Sequence, residues 1–240
     1  MLYKRLLPKE AFAEIFEPLR NKRVALFDGI GNAGDDLIYG ASRFLLSEFK
    51  IEWTPNSMSD AETVLLFGGG NMGPLHPKVS QKRLEIAKKA KRLGKEVIVL
   101  PQSATGPERG PYDKVFIRER ASLRFIPNGI LAPDMLLGLE IEAKSASTIW
   151  ETGLFLRKDK EATFTHPLSL GDPTSQTENW LEYLCLASGF KHVITNRLHF
   201  AIAAMMAGRK TTLLPNSYHK NRSIWETWLK DLGCLWADAV

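Results

Sequence analysis

Short apolar runs ended by glycine or proline alternate along this chain with longer segments in which apolar residues recur every three or four positions. That alternation predicts buried strands connected by helices. A first helix is predicted over residues 10–20. Arg23-Val24-Ala25-Leu26-Phe27-Asp28 then reads as a buried strand ended by Gly29. Leu37, Ile38, Ala41, Phe44 and Leu45 mark one face of a helix over 35–49. A second strand over 64–67 stops at Gly68-Gly69-Gly70, and a helix over 78–93 is closed by Gly94. A third strand over 96–100 ends at Pro101, and a fourth covers 114–118. A helical turn over 121–125 and a brief strand at 130–131 complete this half.

Residues 140–152 are polar and weakly patterned and read as a linker. A second set follows: strand 153–157, helix 177–188, strand 192–195, helix 198–206 stopped by Gly208, strand 210–214 and helix 223–232. Strands alternating with helices belong to parallel sheets covered on both faces. The predicted class is therefore α/β, with two Rossmann-like lobes. The N-terminal lobe covers 1–140 and the C-terminal lobe 141–240, with the last helix free to pack back on the first lobe. The cleft between lobes is the expected place for a site.

Composition narrows the class without changing it. The 240 residues are 44% hydrophobic and 25% charged, which excludes disorder and fibrous classes. No apolar run has the length of a transmembrane helix. Met1-Leu2-Tyr3-Lys4-Arg5 lacks the apolar stretch of a signal peptide, so a cytoplasmic location is expected. Cys185 and Cys234 are too few and too far apart for a disulfide framework or a zinc site, and no metal is expected. The net charge of +5 suits an anionic small molecule, nucleic acid or an anionic membrane surface. No basic stripe interleaved with aromatics appears, so nucleic acid is not expected as a partner. The basic first 23 residues are compatible with peripheral membrane docking, and a homo-oligomer stays open.

Candidate chemistry collects where strands end, the place where open parallel sheets bind ligands. Gly29, Gly31 and Gly34 meet a GxGxxG spacing. The carboxylates of Asp35 and Asp36 directly after it would repel a pyrophosphate, so a dinucleotide is disfavoured. That loop, with Asn32, reads either as a capped turn or as a place where Asp35 or Asp36 meets sugar hydroxyls or acts as a base. Gly69, Gly70 and Asn71 form a loop that permits close approach by a ligand or by another backbone. Gln102 and Ser103 are expected at the end of the third strand, and Arg118 at the end of the fourth. Arg197 and His199 fall in the first turn of a helix, where a guanidinium fork and a proton donor can flank an anion. Asn216, Tyr218, Lys220 and Arg222 form a second polar cluster. Arg157, Asp159 and Glu161 alternate at a strand end, as a surface salt-bridge ladder or as part of a site. Together the two basic clusters point to a small, highly charged anion.

An ordered set of segments carries a resemblance: 31–38, Phe67-Gly68-Gly69-Gly70-Asn71, Leu100-Pro101-Gln102-Ser103, Arg118-Glu119-Arg120-Ala121-Ser122, Ala132-Pro133-Asp134-Met135, Thr195-Asn196-Arg197-Leu198-His199 and 216–222. With these the chain resembles the polysaccharide pyruvyl transferases from about residue 23 to 228. The resemblance implies a glycosyltransferase-B-like fold. It also implies transfer of the pyruvyl group of phosphoenolpyruvate to sugar hydroxyls of an exopolysaccharide or cell-surface glycan precursor, giving a pyruvate ketal. Phosphoenolpyruvate is then the donor substrate, with no separate cofactor. The acceptor is a sugar, carried on a lipid-linked oligosaccharide at the inner face of the cytoplasmic membrane in the family-level expectation. Arg197, Lys220 and Arg222, with Arg118, would hold the donor. His199 would protonate its methylene carbon, and Asp35 or Asp36 would serve the acceptor. Two other readings stay open: a nucleotide-sugar-dependent glycosyltransferase, and a non-catalytic anion-binding member of a polysaccharide assembly complex.

Overall fold

The computed structural model describes residues 1–29 and 31–240; Ile30, inside the expected glycine loop, lies outside the described residues. The chain begins with β1 (Leu2–Tyr3), α1 (Ala13–Phe16), β2 (Val24–Phe27), α2 (Ala33–Glu48), β3 (Trp53–Pro55), β4 (Thr63–Leu66) and β5 (Gly69–Met72). It continues with α3 (Pro77–Arg92), β6 (Glu96–Ala104), β7 (Lys114–Ile117), β8 (Ile130–Leu131) and β9 (Ile141–Glu142). The remainder is β10 (Trp150–Phe155), α4 (Trp180–Ser188), β11 (Phe190–Thr195), α5 (Leu198–Met206), β12 (Lys210–Leu213), α6 (Lys220–Ile224) and β13 (Leu235–Trp236). Two compact units form. One holds residues 7–30 and 38–138, the other residues 1–6, 31–37 and 139–240. Both are α/β with parallel sheets.

In the first unit the sheet runs β3-β2-β4-β6-β7-β8, every neighbouring pair parallel. Its central strands are buried on both faces, which explains their unbroken apolar sequences. On α3, Ala87 and Ala90 turn inward against Val64, Val97 and Val99, while the lysines face outward. Arg83 lies on the same inward face and is fully buried.

The third strand is longer than its apolar run predicts. It does not end at Pro101 but continues to Ala104, carrying Gln102 and Ser103 inside the sheet. The physical reason lies in its neighbour. The first half of β6 pairs with β4 as far as Leu66↔Val99, and the second half pairs with β5 from Gly69↔Gln102. Between them the ladder is interrupted opposite Pro101, which has no N–H to contribute. Gln102 bridges the gap: its Nε2 donates to the Phe67 carbonyl at 2.6 Å, and its Oε1 accepts from Asn71 N–H at 3.4 Å. A Cβ on Gly68 would stand 2.9 Å from the Pro101 carbonyl oxygen, and Gly69 adopts φ +132°. Another backbone, rather than open space, occupies the approach that Gly68 permits.

In the second unit the sheet order is β10-β11-β12-β13, again all parallel. The segment expected as a linker contributes two strands: β9 pairs antiparallel with β1, and β10 starts at Trp150. Edge-to-face aromatics fill the core. Phe200 stands 4.7 Å from Phe155 and 5.1 Å from Tyr183 between ring centroids. The final helix starts three residues earlier than its apolar spacing suggests, as α6 at Lys220, and widens into a π turn over Trp225–Leu229. Among the described residues, no helix is long and apolar enough to cross a membrane.

Candidate functional site

Three adjacent parallel strands of the second unit deliver polar side chains past their carboxyl ends. Arg157 follows β10, Asn196 and Arg197 follow β11, and Asn216 and Lys220 follow β12. These groups form one buried network. The Arg197 guanidinium donates to Asp172 from Nε at 2.9 Å and from Nη2 at 2.5 Å, and its Nη1 lies 2.9 Å from Asp159 Oδ2. Arg157 donates to both oxygens of Asp159, at 2.8 and 2.9 Å, and to Glu161 at 2.7 Å. The same Glu161 oxygen accepts from Lys220 Nζ at 2.5 Å and from Asn216 Nδ2 at 3.0 Å. Arg157, Arg197 and Lys220 are thus balanced by Asp159, Glu161 and Asp172.

The balance shows in the ionisation of the members. Burial works against the charged forms, but the hydrogen bonds and charge of Arg197 hold the Asp172 carboxyl below its ordinary range. Burial likewise opposes Asp159, yet Arg157 and Arg197 bring it down to about 2. Burial would lower Arg197, and Asp172 and Asp159 instead raise it. Asp172 also caps the short turn Pro173–Ser175 by accepting from Thr174 N–H at 3.1 Å, and it accepts from Lys158 N–H at 2.9 Å.

Two helices begin in this unit with opposite electrostatic character. At the start of α2, Asn32 Oδ1 accepts from Gly34 N–H at 2.9 Å while Asp35 Oδ2 accepts from Asn32 N–H at 3.0 Å. This reciprocal capping box closes a first turn that also carries Asp36, which is exposed. The start of α5 is different: no side chain caps it, and no acidic residue stands in its first turn. The positive end of a helix dipole without an acidic neighbour in its first turn favours an anion. Asn196, fully buried just before α5, turns its Oδ1 to Arg157 N–H at 2.8 Å, and its Nδ2 finds no partner.

His199 joins the two helix starts. It sits in the first turn of α5, and its Nδ1 lies 3.0 Å from where a Cβ on Gly34 would stand. Gly34 therefore admits the imidazole to the first turn of α2, beside Asn32. This gives GxGxxG a second use: its last glycine makes room for a histidine.

The remaining expected site residues have partners of their own. Tyr218 packs under Lys220, whose Nζ is 5.1 Å from the ring centroid. Arg222 is exposed; it donates to Glu226 at 2.6 Å and stacks 5.0 Å from the ring centroids of both Trp225 and Trp236. In the first unit, Asn71 Oδ1 accepts from Arg83 at 2.7 Å, and Arg83 is also paired to Glu108 at 2.7 Å. Gly69 and half-buried Gly70 form the strand beside Gln102. Arg118 donates to Ser103 at 2.8 Å and to Asp134 at 2.6 Å, and all three are buried. Ser103 in turn donates to Glu119 at 2.8 Å. The structure thus places His199 against Gly34 beside Asn32, and links Arg197 with Lys220 and Asn216 through Asp159, Arg157 and Glu161. Gly69, Gly70, Asn71, Gln102, Ser103 and Arg118 form interior polar connections of the first unit.

A family model for polysaccharide pyruvyl transferases matches residues 32–218, which include both helix starts and the buried network except Lys220. The chain belongs to the polysaccharide pyruvyl transferase family. Membership supports a transferase that modifies polysaccharide. General stress protein 30 of Bacillus subtilis (strain 168) is 25% identical over a gapped alignment of 266 positions, covering 85% of this chain and 76% of that relative. A protein of uncharacterised function from Klebsiella pneumoniae subsp. pneumoniae NTUH-K2044 superposes with a TM-score of 0.70. It is 21% identical, with 93% of this chain and 95% of the other covered, and it shows a shared fold.

Asp172 is the residue that sequence reasoning missed. Its signal was present in Asp172-Pro173-Thr174, an N-cap followed by proline at the first helical position. Arg83 was also legible, since it shares the helical face of Ala87 and Ala90.

Proposed function

We propose that this protein transfers the pyruvyl group of phosphoenolpyruvate to two hydroxyls of a glycan, forming a pyruvate ketal and releasing phosphate. The reading takes the two parallel-sheet units as the Rossmann-like lobes of a glycosyltransferase-B-like enzyme. The observation that carries it is the position of His199, on the uncapped start of α5 and against the acidic first turn of α2. An anion seat and a carboxylate pair then stand on either side of one proton donor.

In this reading the donor's negative groups lie at the N-terminus of α5, helped by the unpaired Asn196 Nδ2. Arg197 and Lys220 fix the polar floor beneath it. Their charges are compensated by Asp172, Asp159 and Glu161, so the helix terminus and His199 bear most of the donor's charge. His199 gives its proton to the methylene carbon, which becomes the methyl group, and positive charge develops at the adjacent carbon. One acceptor hydroxyl oxygen bonds to that carbon and loses its proton to Asp35 or Asp36. The carbon–oxygen bond to phosphate breaks, a second hydroxyl adds and loses its proton, and the ketal closes. General acid catalysis of the first step contributes roughly a hundred- to ten-thousand-fold. The reading requires neither Arg118 nor Arg222, whose guanidiniums are paired with Asp134 and Glu226. The acceptor in this reading is an exopolysaccharide or cell-surface precursor, carried on lipid at the cytoplasmic face of the membrane.

The test is a coupled measurement of phosphate release and of the ketal methyl signal by proton NMR, with phosphoenolpyruvate and pools of bacterial surface oligosaccharides. Phosphate and ketal should appear in equal amounts. Turnover with a nucleotide sugar and none with phosphoenolpyruvate would replace this reading by the glycosyltransferase one.

A further inference from the structure

A cavity of about 370 Å³ opens at the amino ends of β10 and β11. The buried network described above lies past the carboxyl ends of those same strands, so the cavity is at the far edge of the sheet. Trp150, the first residue of β10, stands at its rim and is 64% exposed. An indole left this open in water is costly in apolar surface, and it is the most exposed aromatic side chain among the large hydrophobics of the described residues.

The rest of the wall is mixed. Phe190 and Leu186 supply an apolar floor, and Thr148, Gln176 and Glu182 supply hydroxyl, amide and carboxylate groups. Among the described residues, no lysine or arginine lines it. That charge pattern rejects a phosphorylated or carboxylated ligand, because the Glu182 carboxylate would meet it without a balancing cation. Gln176 Nε2 already donates to the Leu170 carbonyl at 2.8 Å, and Glu182 accepts from Glu178 N–H at 2.8 Å and from Asn179 Nδ2 at 3.1 Å. A purely apolar ligand would strip water from the remaining hydrogen-bonding positions of these groups and replace it with nothing. An uncharged sugar satisfies both surfaces. One face of a pyranose ring is all C–H and lies on the electron-rich face of an indole, and its rim of hydroxyls bonds to amide and carboxylate groups. The volume suits a short saccharide segment.

We infer that the cavity beside Trp150 is a secondary carbohydrate-binding site, which holds a neutral stretch of the glycan acceptor away from the sugar being modified. The inference rests on the proposed glycan-modifying function and names where a long acceptor is gripped. β10 has six residues, so the two edges of the sheet are about 20 Å apart, the length of several sugar units. Linking a weak remote grip to the reacting end raises the effective concentration of acceptor, a gain that a monosaccharide cannot show.

Cys185 lines the same cavity and is half-buried, which provides a reporter within it. The experiment uses the full-length protein without donor, titrated with millimolar neutral hexasaccharides of glucose, galactose, mannose and N-acetylglucosamine. Two readouts are followed: the Trp150 indole N–H resonance, assigned with Trp150→Phe, and the rate at which Cys185 is alkylated. At least one saccharide should shift that resonance and slow alkylation several-fold. Trp150→Ala should abolish the protection, and Trp150→Phe should keep part of it. A Trp150 resonance and a Cys185 rate untouched by every saccharide would overturn the site, as would an equal response to inorganic phosphate. Because no donor is present, saccharide binding without pyruvyl transfer would leave this site standing and remove only the proposed reaction. Transfer with equal KM for long acceptors in wild type and Trp150→Ala would remove this site and leave the reaction.

Discussion

Arg197 grips Asp172 through two parallel hydrogen bonds, Nε to Oδ1 at 2.9 Å and Nη2 to Oδ2 at 2.5 Å, and both side chains are almost wholly buried. This fork joins the end of β11 to the loop before α4. Removing Arg197 leaves the Asp172 carboxylate buried without a cation, whereas removing Asp172 leaves Arg197 its ion pair with Asp159. Arg197→Ala should therefore cost about 3–5 kcal/mol of stability, the range for breaking a buried pair. Asp172→Ala should cost less, because Asp159 still balances the guanidinium. Urea unfolding of the two variants checks the order. Equal and small losses would mean that the fork is not structural.

The same network sets an acid limit. Asp172 and Asp159 have folded-state pKa values below those of the unfolded chain, Asp159 at about 2. Carboxylates of this kind contribute stability that is fully present above their unfolded values near 4. It is lost as pH falls towards the folded values. The urea midpoint should hold level through neutral pH and then drop from about pH 5 downward. In Asp159→Asn the drop should be shallower. An acid limb of unchanged steepness in that variant would place the sensitivity elsewhere, with Glu108 beside Arg83 the next candidate.

Gly34 offers a separation of folding from chemistry. A Cβ there would stand 3.0 Å from His199 Nδ1 and 3.2 Å from its Cβ, so the imidazole would have to move by a few tenths of an ångström. Alanine suits a helix better than glycine by up to about 1 kcal/mol, so Gly34→Ala should leave stability level or raised. Turnover should fall about ten- to a hundred-fold, the cost of misplacing a reacting group. His199→Ala should lose about a hundred- to ten-thousand-fold while unfolding as wild type does. Phosphate-release kinetics beside thermal unfolding tests both variants. Full activity in either one removes His199 from the reaction.

Much of this arrangement was legible in the sequence, and the limits have identifiable causes. The parallel strands were visible because Val64-Leu65-Leu66 and Val97-Ile98-Val99-Leu100 are apolar on both faces. The edge strands Trp53–Pro55 and Leu235–Trp236 were not, since each is two or three residues long and partly exposed. Pro101 reads locally as a stop; only the broken partner strand lets β6 continue through it. The polar clusters were visible, but their pairing was not. That Arg197 meets Asp172 depends on a loop closing across 25 residues, which no local pattern records.

Gln102 measures what that continuation is worth. Its amide serves the Phe67 carbonyl and the Asn71 N–H, both in the interior of the first unit. Gln102→Ala should leave these groups unsatisfied and cost about 1–3 kcal/mol for each group left buried. Chemical denaturation should show the loss without a change in the slope of the unfolding transition. Gln102→Glu, which keeps the acceptor but loses the donor to Phe67, should fall on the same side. A variant as stable as wild type would mean that water replaces the amide.

Asp35 stands where two roles overlap, and one substitution separates them. As the third residue of α2 its Oδ2 accepts from Asn32 N–H, a bond that an amide oxygen can also accept. As a base it must ionise, which an amide cannot do. Asp35→Asn should therefore keep the helix start, while Asp35→Ala should lose about 1 kcal/mol of capping stability. If Asp35 takes the acceptor proton, Asp35→Asn loses turnover about a hundred-fold or more with KM for phosphoenolpyruvate unchanged. If exposed Asp36 does so, that loss moves to Asp36→Asn, and Asp35→Asn stays active. Steady-state kinetics of the two asparagine variants, with acceptor and donor varied separately, decide between the neighbours. Wild-type turnover in both would assign the proton to water and leave Asp35 as a cap.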